Sequence, residues 1–275
     1  CETEKLTPVF HAFDDLRQFL KYQKNRRQLS YHIKFNTGMN RLGIAIEHAS
    51  EVARLIRKNG QIPEGLCTHF AASEDSNSDL NPLQVERFRD VLSHFLHFNI
   101  SYIHCENTAA LLTQTAKSLS GICNVGRPGL GIYGYSLAKN AKIFPALKWY
   151  ARVIEVRNLT SYERVGYGGT YQALRSEKMA VLGVGYGDGF KRINSNQKLW
   201  MNHKLVSILG RVSMDSTAVR LTILPKHLNK TGIWYTILGE DFRQGARMAE
   251  LANSTIYEIL TSISARVPRL YEETP

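Results

Sequence analysis

Four short segments of this 275-residue sequence combine glycine, arginine or histidine with hydroxyl or amide side chains, and each follows or ends a strand-like run. In α/β barrels the catalytic groups project from the carboxyl ends of the parallel strands, so chemistry is expected in such segments. Their sequences are KFNTGMNRLG (34–43), THFA (68–71), HCENT (104–108) and GRPGLGIYG (126–134). Cationic side chains and hydrogen-bond donors prevail among them, which indicates a site for an anionic small molecule.

Two of these segments could hold a phosphate group. Thr108 opens a predicted helix, and a helix N-terminus presents free backbone N–H groups and a favourable dipole to an anion. The turn at Gly129-Leu130 could add further backbone N–H groups. Most Asn-Thr pairs at helix starts are only caps, so an ordinary capped helix is the simpler interpretation of this pattern alone.

Up to about residue 143, the elements that position these segments alternate between predicted strands and predicted helices. Predicted strands lie at residues 29–35, 66–70, 100–104 and 122–125. Predicted helices lie at 47–59, after Asn81-Pro82 as N-cap and first turn, and from Asn107-Thr108 to Ala116. This alternation is typical of βαβ units around a parallel sheet, and both a barrel and a doubly wound sheet fit it.

The pattern changes after Pro145. Strand-like runs at 149–156, 179–184 and 205–209 follow one another without long helices between them, and a pair of helices is predicted at 244–252 and 255–262. We therefore predict two domains, an α/β domain over residues 1–143 and a mostly β domain over residues 144–275.

Composition, charge and cysteine content limit the function classes. With 43% hydrophobic and 21% charged residues and no long apolar run, the chain is predicted to be globular, without membrane contact. The net charge of +11 is compatible with nucleic-acid binding, but Lys and Arg are dispersed, which favours attraction of small anions instead. The four cysteines form no C-x-x-C motif, which predicts a cytoplasmic protein without a structural metal.

The motifs, taken in order along the chain, match those of a known family. KFNTGMNRLG, THFA, HCENTAA, GRPGLGIYGY, VGYGGTY, GVGYGDG, GRVSMD and the closing YEILTSISARVPRLY resemble the successive motifs of alanine racemases, from about Leu29 to Tyr271. The resemblance implies an α/β plus β fold, an incomplete (β/α)8 TIM-type barrel followed by a mostly β C-terminal domain. It also implies pyridoxal 5'-phosphate as cofactor, an amino-acid substrate, D-alanine supply for peptidoglycan, and a homodimer with shared active sites.

The resemblance also assigns a role to each matching residue. Tyr167 of VGYGGTY is implied as a catalytic acid/base. The implied cofactor-binding residues are His69, Thr108, Arg127, Gly129, Leu130 and Tyr257. Arg41 and the backbone at Met214 are implied to contact the substrate carboxylate, and the implied entry or supporting residues are Lys34, Tyr186 and Asp215.

Two of these roles have a chemical rationale. Racemisation needs proton carriers on opposite faces of the planar reacting carbon, and the resemblance implies Tyr167 for one face and a Schiff-base lysine for the other. Arg127 is implied to face the pyridine nitrogen of the cofactor. Arginine stays protonated and can only donate, so it leaves that nitrogen unprotonated and weakens the ring as an electron sink, which favours racemisation over transamination.

The sequence departs from the family pattern in two places. Lys34 matches a lysine that is carbamylated in many members, but Asn36 replaces the usual Asp two residues later, so carbamylation and a bound anion both remain open. The Schiff-base lysine, expected in a K-A-x-A-Y-G context, is not found in this sequence. We therefore expect an N-terminally truncated chain that is inactive by itself.

Alternative functions remain at this stage. A broad-specificity or serine racemase could be built on the same scaffold, because side-chain tolerance depends on the shape of the pocket. A non-catalytic remnant would explain the missing lysine, although Tyr167, Arg127 and Tyr257 are all retained. A nucleic-acid binder is the third alternative, and it is disfavoured by the dispersed positive charge.

Overall fold

The computed structural model describes residues 3–23, 29–138, 143–195, 197–201, 204–221, 230–240 and 242–272. Its contacts divide the chain into two compact units, residues 1–131 with 136–141 and residues 132–135 with 142–275. The domain boundary at residue 144 stays a prediction. Cys67, Cys105 and Cys123 are free thiols, and Cys1 lies outside the described residues.

The first unit alternates short parallel strands with helices. In chain order its elements are β1 (Val9–Phe10), α1 (Phe13–Gln23), β2 (His32–Asn36), β3 (Ile44–Ala45), α2 (Ala49–Asn59), β4 (Gly65–Cys67), α3 (Leu80–Ser93), β5 (Tyr102–His104) and α4 (Thr108–Thr113). The strand order is β1-β2-β4-β5 with β3 beside β2, and every pairing is parallel. The predicted parallel α/β arrangement is confirmed, and it brings the carboxyl ends of β2, β4 and β5 to one edge.

Strand β2 illustrates how the sequence produces a sheet with two different faces. Ile33 and Phe35 are fully buried, whereas His32, Lys34 and Asn36, which alternate with them, are only partly buried. The buried side belongs to one hydrophobic cluster with residues of β4 and of the helices, including Leu66, Val52, Ile56, Phe88 and Val91. Burial of one such side chain stabilises the fold by about 1.5–3 kcal/mol, so this face is fixed against the helices and the other is left for polar groups.

Helix α3 begins earlier than the sequence pattern predicts. Its N-cap is Asp79 and its first residue is Leu80, so the predicted N-cap, Asn81, lies inside the first turn. The Asn81 side chain donates instead to the backbone carbonyls of Ala72 (3.1 Å) and Asp75 (2.8 Å). Because Asn81 already lies within the first turn, its amide group ties the preceding loop to the helix by donating, and it does not cap the helix.

Two other expectations for the first unit are wrong. Helix α4 is shorter than predicted, because Gln114 adopts the left-handed conformation (φ 55°) and ends it. The predicted strand at 122–125 does not form: Ile122 is 42% exposed, and Cys123 makes only an isolated bridge to the nearby Ser120. A local bridge of this kind closes a turn, so this segment does not extend the sheet.

The second unit is mostly β, as predicted. Its strands are β6 (Trp149–Leu159), β7 (Arg164–Val165), β8 (Tyr171–Gln172), β9 (Glu177–Leu182), β10 (Lys198–Met201), β11 (Lys204–Ser207), β12 (Thr217–Arg220) and β13 (Trp234–Leu238). A four-stranded antiparallel sheet has the order β12-β9-β6-β13, and β7-β8 and β10-β11 are separate hairpins. Two helices follow, α5 (Phe242–Leu251) and α6 (Ile256–Ser262), close to the predicted pair.

Two properties of the described part of the chain bear on its function. None of the helices there is both long enough and apolar enough to span a membrane. Within the same residues, no group of three or more His, Cys, Asp and Glu side chains is arranged to hold a metal ion.

Candidate active site

The Arg127 guanidinium lies at the carboxyl ends of β4 and β5, where four acceptors surround it, the most distant being the Cys105 carbonyl at 3.5 Å. Its Nη2 donates to the carbonyl oxygen of Thr68 (2.8 Å) and lies 3.1 Å from His69 Nδ1, and its Nη1 is hydrogen bonded to His104 Nδ1. The Arg127 backbone N–H donates to the carbonyl of Glu106 (2.8 Å). Arginine has no acceptor, so both imidazole nitrogens must present lone pairs to it.

The protonation states of the two histidines suit this arrangement. Burial lowers the pKa of both His69 and His104 to about 4, and the positive charge of Arg127 acts in the same direction. Both rings are therefore neutral near pH 7. A neutral ring keeps the lone pair that Arg127 needs, so the guanidinium is held in a fixed orientation.

Helix α3 holds the loop that carries His69. The Gln84 side chain donates to the Thr37 hydroxyl (3.0 Å) and to the carbonyl of His69 (3.0 Å), and it accepts the N–H of Ala71 (2.9 Å). The hydroxyls of Thr37 and Thr68 are 2.7 Å apart in the buried interior. One buried glutamine thus joins the loops after β2 and β4, which explains why the KFNTG and THFA segments meet.

Thr108 and the Gly129-Leu130 turn lie together, as the sequence predicts. Asn107 caps α4 with its side chain, which leaves Thr108 as the first helical residue, and Thr108 is 5% exposed. The Thr108 hydroxyl accepts the backbone N–H of Gly131 (2.9 Å), the residue directly after this turn. The hydroxyl proton is then available to an anion beside the turn.

Lys34 stands in a positively charged environment. Burial lowers the pKa of Lys34, and the charges of Arg41 and Arg127 lower it further. A lowered pKa increases the fraction of neutral amine, which is the form that reacts with carbon dioxide. Asn36 shapes the loop that leads to Arg41, since its side-chain oxygen accepts the N–H of Asn40 (3.0 Å). A carbamylated Lys34 and an anion bound in its place are both compatible with these charges.

In the second unit, Tyr167 occupies a glycine-rich 3-10 turn, Tyr167–Gly169. Gly166 (φ 71°) and Gly168 (φ 73°), on either side of Tyr167, have positive φ angles that favour glycine. A Cβ at Gly168 would lie 3.4 Å from Arg211 Nη1, so a guanidinium adjoins this turn. Tyr167 itself is 71% exposed in the chain. The turn presents the tyrosine ring outward instead of packing it in the core.

Arg266 joins the two predicted entry segments of the second unit. Its Nε donates to Asp188 Oδ1 (2.9 Å), and its Nη2 donates to Asp215 Oδ1 (2.7 Å) and to the carbonyl of Met214 (3.3 Å). Tyr186 and Asp188 share one 3-10 turn, so Arg266 fixes Tyr186 relative to the Met214-Asp215 loop. The structure therefore brings Tyr186, Met214 and Asp215 together.

Three residues that the sequence analysis did not assign have clear roles in these contacts. His104 and Arg266 belong to motifs that were recognised, HCENTAA and ARVPRLY, but no pattern indicates their partners. Gln84 is marked by no motif and could be found only from its buried contacts.

Tyr257, which the family resemblance assigns to the cofactor phosphate, lies on α6 and is 47% exposed.

The first unit offers a donor set that fits pyridoxal phosphate. Arg127 is a fixed cationic donor suited to a pyridine nitrogen, which can only accept a hydrogen bond from it. Thr108 and the backbone of its neighbouring turn suit a phosphate group. The histidines that hold Arg127 are neutral, so the guanidinium keeps its full charge beside the ring.

Comparisons with known proteins agree with this fit. The N-terminal domain model of alanine racemases matches residues 1–137, and the C-terminal domain model matches residues 146–271. An alanine racemase of Staphylococcus carnosus is 33% identical over 273 residues, which are 94% of this chain and 68% of the relative.

Solved structures share the fold. The biosynthetic alanine racemase of Pseudomonas aeruginosa superposes with a TM-score of 0.82 at 27% identity, over 96% of this chain and 73% of that one. The alanine racemase of Bartonella henselae, solved with covalently bound pyridoxal phosphate, has a TM-score of 0.84 at 24% identity, over 98% of this chain and 74% of that one. The barrel and β-domain fold expected from the motifs is confirmed, and the chain belongs to the alanine racemase family.

Proposed function

We propose that this protein interconverts L- and D-alanine with the help of pyridoxal 5'-phosphate, and so supplies D-alanine for peptidoglycan. The observation that carries the proposal is the Arg127 guanidinium, held by His69, His104 and the Thr68 carbonyl. The names of the relatives support the substrate. The free thiols of Cys67, Cys105 and Cys123 are compatible with a reducing compartment, and we propose the cytoplasm.

Each residue of the site then has a task. When bound, the cofactor withdraws electrons from the α-carbon of the substrate and so makes its proton acidic. Arg127 donates to the ring nitrogen without giving up its proton. The phosphate is held by Thr108, Gly129, Leu130 and Tyr257. The substrate carboxylate is held by Arg41 and the backbone at Met214, with Lys34, Tyr186 and Asp215 as entry or supporting residues.

Tyr167 moves a proton on one face of the substrate. A tyrosine hydroxyl has an ordinary pKa near 10, so it needs positive neighbours to act as a base near neutral pH. The proton carrier for the other face is a lysine, and no lysine of this sequence stands in the expected K-A-x-A-Y-G context. We therefore propose that these 275 residues need such a lysine for activity.

Turnover of four amino acids tests the proposed function. Alanine is expected to racemise faster than serine, lysine or arginine when each is supplied to protein that carries a Schiff-base lysine and is loaded with pyridoxal phosphate. Faster turnover of serine or of the basic amino acids would make it a serine or broad-specificity racemase. No turnover of any of them, with cofactor bound and a Schiff-base lysine present, would make it a non-catalytic member of the family.

We further propose that the active form is a homodimer with shared active sites. Tyr167 is 71% exposed and Met214 is 52% exposed within the chain, although both are assigned to the substrate site. A site that must exclude water needs such residues covered, and a second copy would cover them.

Dilution tests the dimer. The specific activity is expected to fall as the protein is diluted below its dimer dissociation constant, and to recover on concentration. The molar mass is measured by light scattering over the same range. Constant activity in samples that scatter as monomers would contradict the shared site.

A further inference from the structure

His32 is not among the residues assigned to the site, but its imidazole passes over Gly65 and contacts His104 at the edge of the site. In the parallel sheet, His32 of β2 pairs with Gly65 of β4, which in turn pairs with Tyr102 of β5. A Cβ on Gly65 would lie 2.5 Å from His32 Nδ1, so the imidazole of His32 occupies the space that any other residue at 65 would fill. The missing side chain at Gly65 allows His32 to reach His104, two strands away.

Hydrogen bonds run in a row from Arg127 through His104 to His32, and a carboxylate lies at ion-pair distance beyond His32. His104 Nδ1 is bonded to Arg127, and His104 Nε2 lies 2.8 Å from His32 Nδ1. His32 Nε2 lies 3.7 Å from Glu64 Oε2, the residue before Gly65. His104 is 7% exposed, so its second nitrogen is removed from solvent and needs a partner within the protein.

Only one placement of protons satisfies every contact in this row. Arg127 can only donate, so His104 Nδ1 must carry a lone pair, and a neutral His104 then carries its proton on Nε2. That N–H donates to His32 Nδ1, which must also be a lone pair. A neutral His32 therefore carries its proton on Nε2, directed toward the acceptor Glu64. The direction of donation runs from Arg127 to Glu64 without a conflict.

We propose that Glu64 and His32 are positioning residues for Arg127, acting by fixing the tautomer and the ring orientation of His104. The inference deepens the proposed function, because Arg127 is the group assigned to the cofactor ring. An acceptor at His104 Nε2 polarises that ring and strengthens the lone pair that Arg127 meets at Nδ1. The outer partners of a functional group commonly set its orientation in this way.

The charges around the row agree with neutral rings. Burial lowers the pKa of His32, while the nearby Glu64 carboxylate opposes that effect. Burial and Arg127 lower the pKa of His104 to about 4. The ring of Tyr102 stacks on His32 at 6.0 Å and introduces no charge. With both rings neutral, each of the two hydrogen bonds, Arg127 to His104 and His104 to His32, has one donor and one acceptor, and His32 Nε2–H faces the Glu64 carboxylate at 3.7 Å.

Nitrogen-15 NMR of the histidine rings in the full protein, recorded without added cofactor, tests the row directly. At pH 7, His104 and His32 are both expected to carry their protons on Nε2. Glu64→Gln is expected to lower the pKa of His32, because the opposing carboxylate charge is removed, whereas the exposed Glu86→Gln serves as control and leaves it unchanged. A proton on Nδ1 of His104, or an unchanged pKa of His32 in Glu64→Gln, would overturn the proposal.

Kinetics of cofactor-loaded protein that carries a Schiff-base lysine test the consequence for catalysis. His32→Leu removes the acceptor, and we expect kcat/KM for alanine racemisation to fall about three- to tenfold, the effect of one lost hydrogen bond. His32→Asn keeps an acceptor near the position of Nδ1 and is expected to recover most of the activity, while the exposed His97→Leu is the control. Equal losses in the Leu and Asn variants would reduce His32 to a packing residue. If the parent protein does not racemise alanine, the proposed function fails. The NMR result still shows whether His104 and His32 have the proposed tautomers.

Discussion

Tyr167→Phe, in protein that carries a Schiff-base lysine, is expected to lower racemisation in both directions by about 10² to 10⁴, the contribution of a positioned general base. Phenylalanine keeps the ring and removes only the hydroxyl. Tyr167 is 71% exposed and lies in a turn whose shape depends on its glycines, so the change leaves the fold of the second unit intact. Initial rates from L- and from D-alanine measure the loss, and cofactor absorbance shows that pyridoxal phosphate is still bound.

The direction of proton exchange separates a catalytic from a structural tyrosine. If Tyr167 serves the face that takes the α-proton of L-alanine, the variant keeps only the proton carrier for D-alanine. In D2O, deuterium should then enter D-alanine faster than L-alanine. Tyr162→Phe is a matched control, since Tyr162 is 74% exposed in the same unit. Equal exchange into both enantiomers, or a rate within a few-fold of the parent, would remove Tyr167 from the mechanism.

Arg127→Glu is expected to lower racemisation by about 10² or more, because a fixed charged donor at the reacting system is replaced by an acceptor. A carboxylate near the pyridine nitrogen would favour its protonation and strengthen the ring as an electron sink. We therefore expect slower racemisation together with new absorbance at longer wavelength when alanine is added. The exposed Arg89→Glu in the same unit is the control for the change in net charge.

The same variant has a consequence that does not depend on turnover. The Arg127 charge contributes to lowering the pKa of His69 and His104 to about 4, so its replacement by a carboxylate should raise both. NMR titration of the two rings measures this shift. If Arg127→Glu changes neither the pKa values of His69 and His104 nor the rate of racemisation, Arg127 does not contact these histidines and does not belong to the site.

The agreement between sequence and structure is best where one short segment decides the result. Asn107 was expected to start a helix, and its side chain does accept the N–H of Ala110. VGYGGTY is a glycine-rich motif, and Gly166, Gly168 and Gly169 adopt the positive φ angles that favour glycine in the turn around Tyr167. The roles of Tyr167 and Arg127 in catalysis stay predictions that rest on the family's motifs.

The disagreements arise where a distant residue competes for a local group. Asn81 is a good N-cap by its sequence context, but the helix begins one residue before it, and the Asn81 amide donates to the carbonyls of Ala72 and Asp75, which only the folded loop brings near. Ile122 stands in an apolar run, yet the segment turns at Ser120 and Cys123. Of the ladder to β5 it makes the backbone hydrogen bond from the Asn124 N–H to the Ile103 carbonyl (3.0 Å), while the Asn124 side chain accepts the Ile103 N–H. Local propensity is a weak preference, and such contacts outweigh it.

The sequence by itself determined the family, the order of α/β and β regions and the residue types of the site, since periodicity and motifs are properties of contiguous residues. Only the tertiary structure decided that His32 meets His104 across Gly65, because that contact joins residues 72 positions apart and depends on the strand order β2-β4-β5. It likewise decided that Arg266 joins Asp188 to Asp215, over separations of 78 and 51 residues. The partner of a hydrogen-bonding side chain is selected by which strands and loops become neighbours, and a linear pattern carries no information about that choice.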